Sequence, residues 1–173
     1  MAAALLAEHL ADNGVEAVVT SAGTHAGIAG VDPETVQAMR ERGLDISSHE
    51  PRLLDRATVT SDGADLIVAM TRVHLRTVAV SAPGAFQRSF TAKELARRTQ
   101  RLTSIALPQA PTFIAWRAAF GEGRLARDLM GEDPDDDVLD PYGQSLAEHR
   151  ATVRELDGLT ATIAHSIAAW HHS

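Results

Sequence analysis

The chain has no cysteine. Disulfides, thiolate metal sites and a thiol nucleophile are therefore excluded from these 173 residues, and the composition agrees with a cytoplasmic setting. Long apolar runs are missing as well. None approaches the roughly 20 residues that cross a bilayer, and Met1-Ala2-Ala3-Ala4-Leu5-Leu6 meets Glu8, His9 and Asp12 at once, so the opening reads as a helix and not as a signal peptide. No membrane partner is expected. Aromatics are scarce at 4%, with one tyrosine, Tyr142. Basic clusters are lacking: at net charge −7, only Arg97-Arg98 and the spaced Arg124 and Arg127 interrupt the acidic balance, which speaks against nucleic acid as a partner. Internal repeats, linkers and any Gly-x-Ser-x-Gly turn of a serine hydrolase are also absent.

What is present suffices for one domain over residues 1–173, since 45% of the side chains are hydrophobic. Leu5, Leu6, His9 and Leu10 fall at helical spacing before Asn13-Gly14, and Val15 to Thr20 reads as a short buried strand. Asp32 is placed to cap a helix whose first turn holds Pro33, with Val36 and Met39 inward and Gly43 just past its end. The apolar run Ala64 to Met70 predicts a strand, and Thr71 a cap for a helix through Val80. Phe86 to Phe90 predicts a third short strand. Thr91-Ala92-Lys93-Glu94 is a capping box opening a helix from Lys93 to about Gln100. Residues 101–137 form a helical insertion that contains Pro108 and Pro111, then Phe113, Ile114, Trp116, Ala119 and Phe120. Val153, Leu156, Ile163, Ile167 and Trp170 mark a long terminal helix, weakened by about 1 kcal/mol at Gly158. Alternation of this kind predicts an α/β fold, a three-layer α/β/α arrangement around a short parallel sheet, with ligands at the carboxyl ends of the strands.

One turn stands out chemically. Asp140-Pro141-Tyr142-Gly143 follows five acids in eight residues; proline fixes φ and removes a donor, so the Asp140 carboxyl has few poses, which suits a general acid. The plainer reading is a turn that starts a helix. The acidic run Glu132, Asp133, Asp135, Asp136 and Asp137 lacks the glycine and terminal glutamate of a calcium loop and reads as a solvated loop, so no metal is expected. Gly121-Glu122-Gly123-Arg124-Leu125-Ala126 matches a dinucleotide fingerprint in letters only, since it follows helical periodicity and no strand.

Four motifs occur in one order: Ser21-Ala22-Gly23-Thr24, Ser48-His49-Glu50-Pro51-Arg52-Leu53-Leu54, Ala69-Met70-Thr71 and Asp140-Pro141-Tyr142-Gly143. Together they resemble the low-molecular-weight protein tyrosine phosphatases over roughly residues 1–100 and 138–170. The resemblance implies phosphomonoester hydrolysis through a phosphocysteine intermediate, on a phosphotyrosine protein substrate such as a bacterial tyrosine kinase, with no cofactor. It also implies roles. Asp140 would protonate the departing phenolate oxygen, Tyr142 would wall the substrate slot, and Ser21 and His49 would support the phosphate loop. Pro51 departs from the family, where a small residue usually precedes the arginine.

The family's Cys-x5-Arg-Ser-Pro loop, whose amides and helix dipole cradle phosphate, has no counterpart here. Met1 to Leu6 resembles the helix that follows it. The expectation is a chain shortened at its N-terminus, without the central first strand, nucleophile and loop arginine, inactive and hard to fold by itself. Two alternatives stay open: a pseudophosphatase acting as a binding or regulatory module, and an arsenate reductase of the same fold. The reductase cycle needs further thiols, which the absence of cysteine disfavours.

Overall fold

The computed structural model describes residues 1–25, 30–60, 63–105 and 110–173; Pro108 lies outside them. In chain order the elements are α1 (Ala2–Asp12), α2 (Pro33–Glu41), α3 (Arg56–Val59), β1 (Ile67–Ala69), α4 (Arg72–Ser81), a 3-10 turn (Pro83–Arg88), β2 (Ser89–Thr91), α5 (Ala92–Ile105), α6 (Phe113–Gly121), a second 3-10 turn (Ala126–Leu129) and α7 (Leu146–His171). The fold is α/β with a two-stranded parallel sheet. Among the described residues no helix is long and apolar enough to cross a membrane. The chain divides into two compact units, residues 1–53 with 139–168, and residues 54–138 with 169–173.

In the first unit, Leu5 and Leu10 of α1, Ala38 and Met39 of α2, and Val153, Leu156 and Ile163 of α7 are buried. Burial of a Leu, Met or Ile side chain contributes roughly 1.5–3 kcal/mol, so these three apolar stripes supply most of the unit's cohesion. Asp32 caps α2 as its sequence predicts, accepting from the Glu34 amide at 3.0 Å, and Gly43 adopts φ +98° just beyond the helix. Charged groups join the same helices at their edges. The Arg42 guanidinium grips Asp157 through Nε and Nη2 at 2.9 Å each and reaches Glu8 at 3.0 Å, while His9 Nε2 lies 2.8 Å from the same Asp157 carboxylate. Bidentate pairing fixes orientation as well as distance, which sets the rotation of α2 against α7.

Val15 to Thr20 is not a strand. After the Val15 amide bonds to the Leu10 carbonyl at 2.9 Å, the segment finds no ladder partner among the described residues, and Val18 is 94% exposed. A strand-forming sequence needs a neighbouring strand to bond with, and periodicity cannot report whether one exists.

In the second unit, β1 and β2 pair in parallel with Ile67, Val68 and Ala69 opposite Ser89, Phe90 and Thr91. Val59, Val78 and Ala85 form one cluster beneath Leu54, Ile67 and Ala82, and Ala69 and Leu75 another against Phe86. Thr71 caps α4 as expected, its hydroxyl accepting from the His74 amide at 3.2 Å. The strand expected over Phe86 to Phe90 is confined to Ser89–Thr91, because Pro83 opens a 3-10 turn and the Ser89 hydroxyl bonds back to the Ala85 carbonyl at 2.7 Å. Only half of the capping box forms. The Thr91 hydroxyl accepts from the Glu94 amide at 3.1 Å, but the Glu94 carboxylate is held by Arg124 and Arg98. The helix it opens runs on to Ile105. Phe113, Trp116, Phe120 and Trp170 form an aromatic cluster with centroid spacings of 4.6 to 6.2 Å.

The acidic run is not simply solvated. Asp136 is buried and receives Arg72 Nε at 2.7 Å together with Arg97 Nη2, and Asp137 accepts from the Arg72 amide at the start of α4 at 2.6 Å. Burial by itself would raise the Asp136 pKa, but the hydrogen bonds from Arg97 and Arg72 outweigh it and hold the carboxyl below its ordinary value. The partners lie far away in sequence, so local composition could not reveal them. The Val138 amide then bonds to the Met70 carbonyl at 2.8 Å, which fixes the chain just before Leu139-Asp140.

Candidate active site

The Asp140 turn is built from local rules. Pro141 is buried and anchors the loop, while Asp140 and Tyr142 stand exposed on either side of it, Tyr142 at 61%. The Gln144 amide bonds to the Pro141 carbonyl at 2.9 Å, and Gly143 takes φ +73° at the third position of that turn, a conformation that costs any L side chain about 1–2 kcal/mol. Asp140 Oδ1 accepts from the Tyr142 amide at 3.0 Å. One carboxylate oxygen is thereby engaged while the residue stays exposed, an arrangement suited to passing a proton to a group in solvent. Ser145 and Glu148 cap α7 reciprocally: the Glu148 carboxylate accepts from the Ser145 amide at 2.8 Å and hydroxyl at 2.7 Å. The turn is thus held between buried proline and capped helix.

The Ser21 and Ser48-to-Leu54 motifs meet. Gly23 and Leu53 form a parallel bridge, the Gly23 amide donates to the Arg52 carbonyl at 2.9 Å, and Arg52 Nε donates to the Ser21 carbonyl at 2.9 Å. Ser21 is half-buried in this bridge, whereas His49 is exposed on a turn closed by its amide to the Ile46 carbonyl at 3.0 Å. Among the described residues no hydrogen bond or ion pair links Asp140 or Tyr142 to Ser21 or His49, nor does any group of three His, Asp or Glu side chains stand ready to hold a metal ion.

Beneath the Asp140 turn lies a pair with no sequence signal of its own. Asp32 Oδ2 is 3.7 Å from Nε2 of His149, which is fully buried on the first turn of α7. Bonding from Glu34 is the largest cause holding the Asp32 carboxyl below its ordinary range, with the Gly143 amide and the His149 charge acting in the same direction. Helical spacing could have marked His149 as inward, since it lies four residues before Val153 and seven before Leu156. Nothing in the sequence paired it with Asp32.

The profile of the low molecular weight phosphotyrosine protein phosphatases matches residues 1–103. The chain belongs to that family. Solved structures agree in fold: the low molecular weight protein tyrosine phosphatase from T. tengcongensis is 25% identical, with a TM-score of 0.67 over 95% of this chain and 87% of that one. The YwlE arginine phosphatase from Geobacillus stearothermophilus is likewise 25% identical, with a TM-score of 0.65 over 97% and 83%. Vibrio vulnificus Wzb, solved with benzylphosphonate, shares 18% identity and the fold, with a TM-score of 0.63 over 95% and 86%. No curated protein matches in sequence. As a family member the chain carries a protein-phosphatase fold, and Asp140-Pro141-Tyr142-Gly143 sits in it on an exposed, rigid turn.

Proposed function

We propose that this chain carries the proton-donor half of a protein tyrosine phosphatase site, with Asp140 as general acid, Tyr142 as the aromatic wall for the phenyl ring, and Ser21 and His49 as supports for the phosphate loop. The observation behind this reading is the Asp140 carboxyl, one oxygen pinned by the Tyr142 amide and the turn anchored by buried Pro141. A proton donor must be held in orientation and remain able to reach a solvent-borne substrate; the pinned carboxyl on an exposed turn supports that reading. The substrate class is a phosphotyrosine protein, such as a tyrosine kinase, in a cytoplasmic setting.

The 173 residues hold no thiol, so the chain by itself is expected to leave para-nitrophenyl phosphate intact. Joined ahead of Met1 to a strand and a Cys-x5-Arg-Ser-Pro loop of the family type, it should gain turnover, with phosphotyrosine peptides preferred to phosphoarginine peptides. Asp140→Ala in that fused enzyme should lower kcat by roughly 10²- to 10⁴-fold, the usual range for a lost general acid. Turnover by the unfused chain, or a fused enzyme indifferent to Asp140→Ala, would sink the reading.

A further inference from the structure

In this acidic chain Arg42, Arg72, Arg97, Arg98, Arg124 and Arg150 each meet an Asp or Glu oxygen. Arg88 and Arg117, both in the second unit, do not. They are half-buried, and the Nε of each is buried and meets no acceptor. Each guanidinium makes a single hydrogen bond, Arg88 through Nη2 to the Val59 carbonyl at 2.7 Å and Arg117 through Nη1 to the Asp65 carbonyl. Among the described residues, Arg88 Nη1 and Arg117 Nη2 have no partner and no carboxylate stands within ion-pair reach of either side chain.

The two carbonyls belong to one pinched loop. A Cβ on Gly63 would press on the Ala57 carbonyl oxygen and come within 2.6 Å of that of Thr58, and the Gly63 amide donates to the Thr60 carbonyl at 3.0 Å. Val59 follows Thr58 by one residue and Asp65 follows Gly63 by two, so at most three peptide units of about 3.8 Å separate the two grips across that contact. Arg88 ends the 3-10 turn and Arg117 lies mid-way along α6, and these two elements pack together, with Gly121 of α6 against Gln87. Two fixed cations therefore converge on one neck of chain.

We propose that Arg88 and Arg117 form an anion site, which takes a phosphate-class oxyanion between their two unpaired terminal nitrogens beside Val59 and Asp65. Guanidinium forks match the oxygens of such an anion, and each arginine is already oriented by its bond to the loop, so little side-chain freedom remains to be lost on binding. A half-buried cation without a counter-charge is costly, and a bound anion removes that cost for both at once. The electrostatics agree with the geometry: burial first, then the Arg88 charge, hold the Arg117 guanidinium below the usual arginine range, while Asp65 pulls more weakly the other way.

Nuclear magnetic resonance of the ¹⁵N-labelled 173-residue chain tests this without any turnover, since buried Nε–H groups exchange slowly with water and give observable signals. Titration with inorganic phosphate at constant ionic strength should move the Arg88 and Arg117 Nε–H signals together and saturably in the low-millimolar range, with sodium chloride moving neither. O-phosphoserine in place of phosphate tells the source: tighter binding assigns the site to a phosphorylated side chain, tighter binding of phosphate to the free ion, and either result supports the site. Arg88→Gln and Arg117→Gln should each weaken binding about 10-fold, the usual loss with one charge-assisted hydrogen bond, whereas Arg154→Gln, at an exposed position of α7, should leave it unchanged. Signals that stay still, drift without saturation or follow chloride equally well would overturn the proposal, as would Gln variants that bind like the unaltered chain. Should either Gln variant fail to fold, the titration of the unaltered chain decides alone.

Discussion

Arg124 occupies a place that sequence letters assigned to nothing. Its guanidinium is buried, lies 4.6 Å from the Phe86 ring centroid and 4.2 Å from that of Phe90, meets both Glu94 oxygens at 2.7 and 3.0 Å, and donates to the Phe86 and Ser89 carbonyls at 3.0 and 2.8 Å. Removing one partner of such a pair strands the other charge. Arg124→Met should therefore cost about 3 kcal/mol, at the low end for a broken buried pair because Arg98 still bonds Glu94 at 2.9 Å, and Glu94→Gln in the same chain should recover part of it. Urea midpoints of the unaltered chain and the two variants check this. In the Asp140 turn, Gly143→Ala meets open space but a positive φ, so a loss of about 1 kcal/mol with no steric rearrangement is expected from the same measurement.

At the scale of elements, Gly158 is a weak point in α7 that the sequence already exposes. A Cβ there would meet nothing within 4 Å, and the backbone is helical, so Gly158→Ala should stabilise by about 0.5–1 kcal/mol, read as a higher thermal midpoint. The joints between α1, α2 and α7 respond to pH. Hydrogen bonding from Arg42, with His9 adding to it, holds the Asp157 carboxyl below its ordinary 3.8. A depressed folded-state pKa gives stability that is complete above 3.8 and is lost as pH falls through the lower folded value. Asp157→Asn should cost about 2 kcal/mol at pH 7, the range for charge-assisted bonds, and should flatten the stability profile below pH 4, as followed by denaturant titration at each pH.

For the whole molecule, net charge −7 and a pI near 5.5 favour solubility at neutral pH, yet the segment from Val15 to Thr20, which has no ladder partner among the described residues, carries an apolar side chain, Val18, facing outward. Val18→Lys should reduce concentration-dependent association in light scattering while changing stability by less than about 0.5 kcal/mol, as befits an exposed side chain. An unchanged scattering profile would mean that this edge is not what associates.

The sequence by itself determined most of the helices, through apolar spacing with Asp32 and Thr71 as caps, though not the short α3, and it determined the Asp140 turn, because proline and glycine act on the backbone within four residues. It placed β1, though longer than it is. What only the tertiary structure decided were pairings across long separations: the burial of Asp136 by Arg72 and Arg97, the seat of Arg124, the meeting of Asp32 with His149, and the absence of a ladder beside Val15 to Thr20 among the described residues. Local rules reach about one turn of helix along the chain. Ladder and ion-pair partners are chosen by the fold in space, so they leave no trace in neighbouring letters.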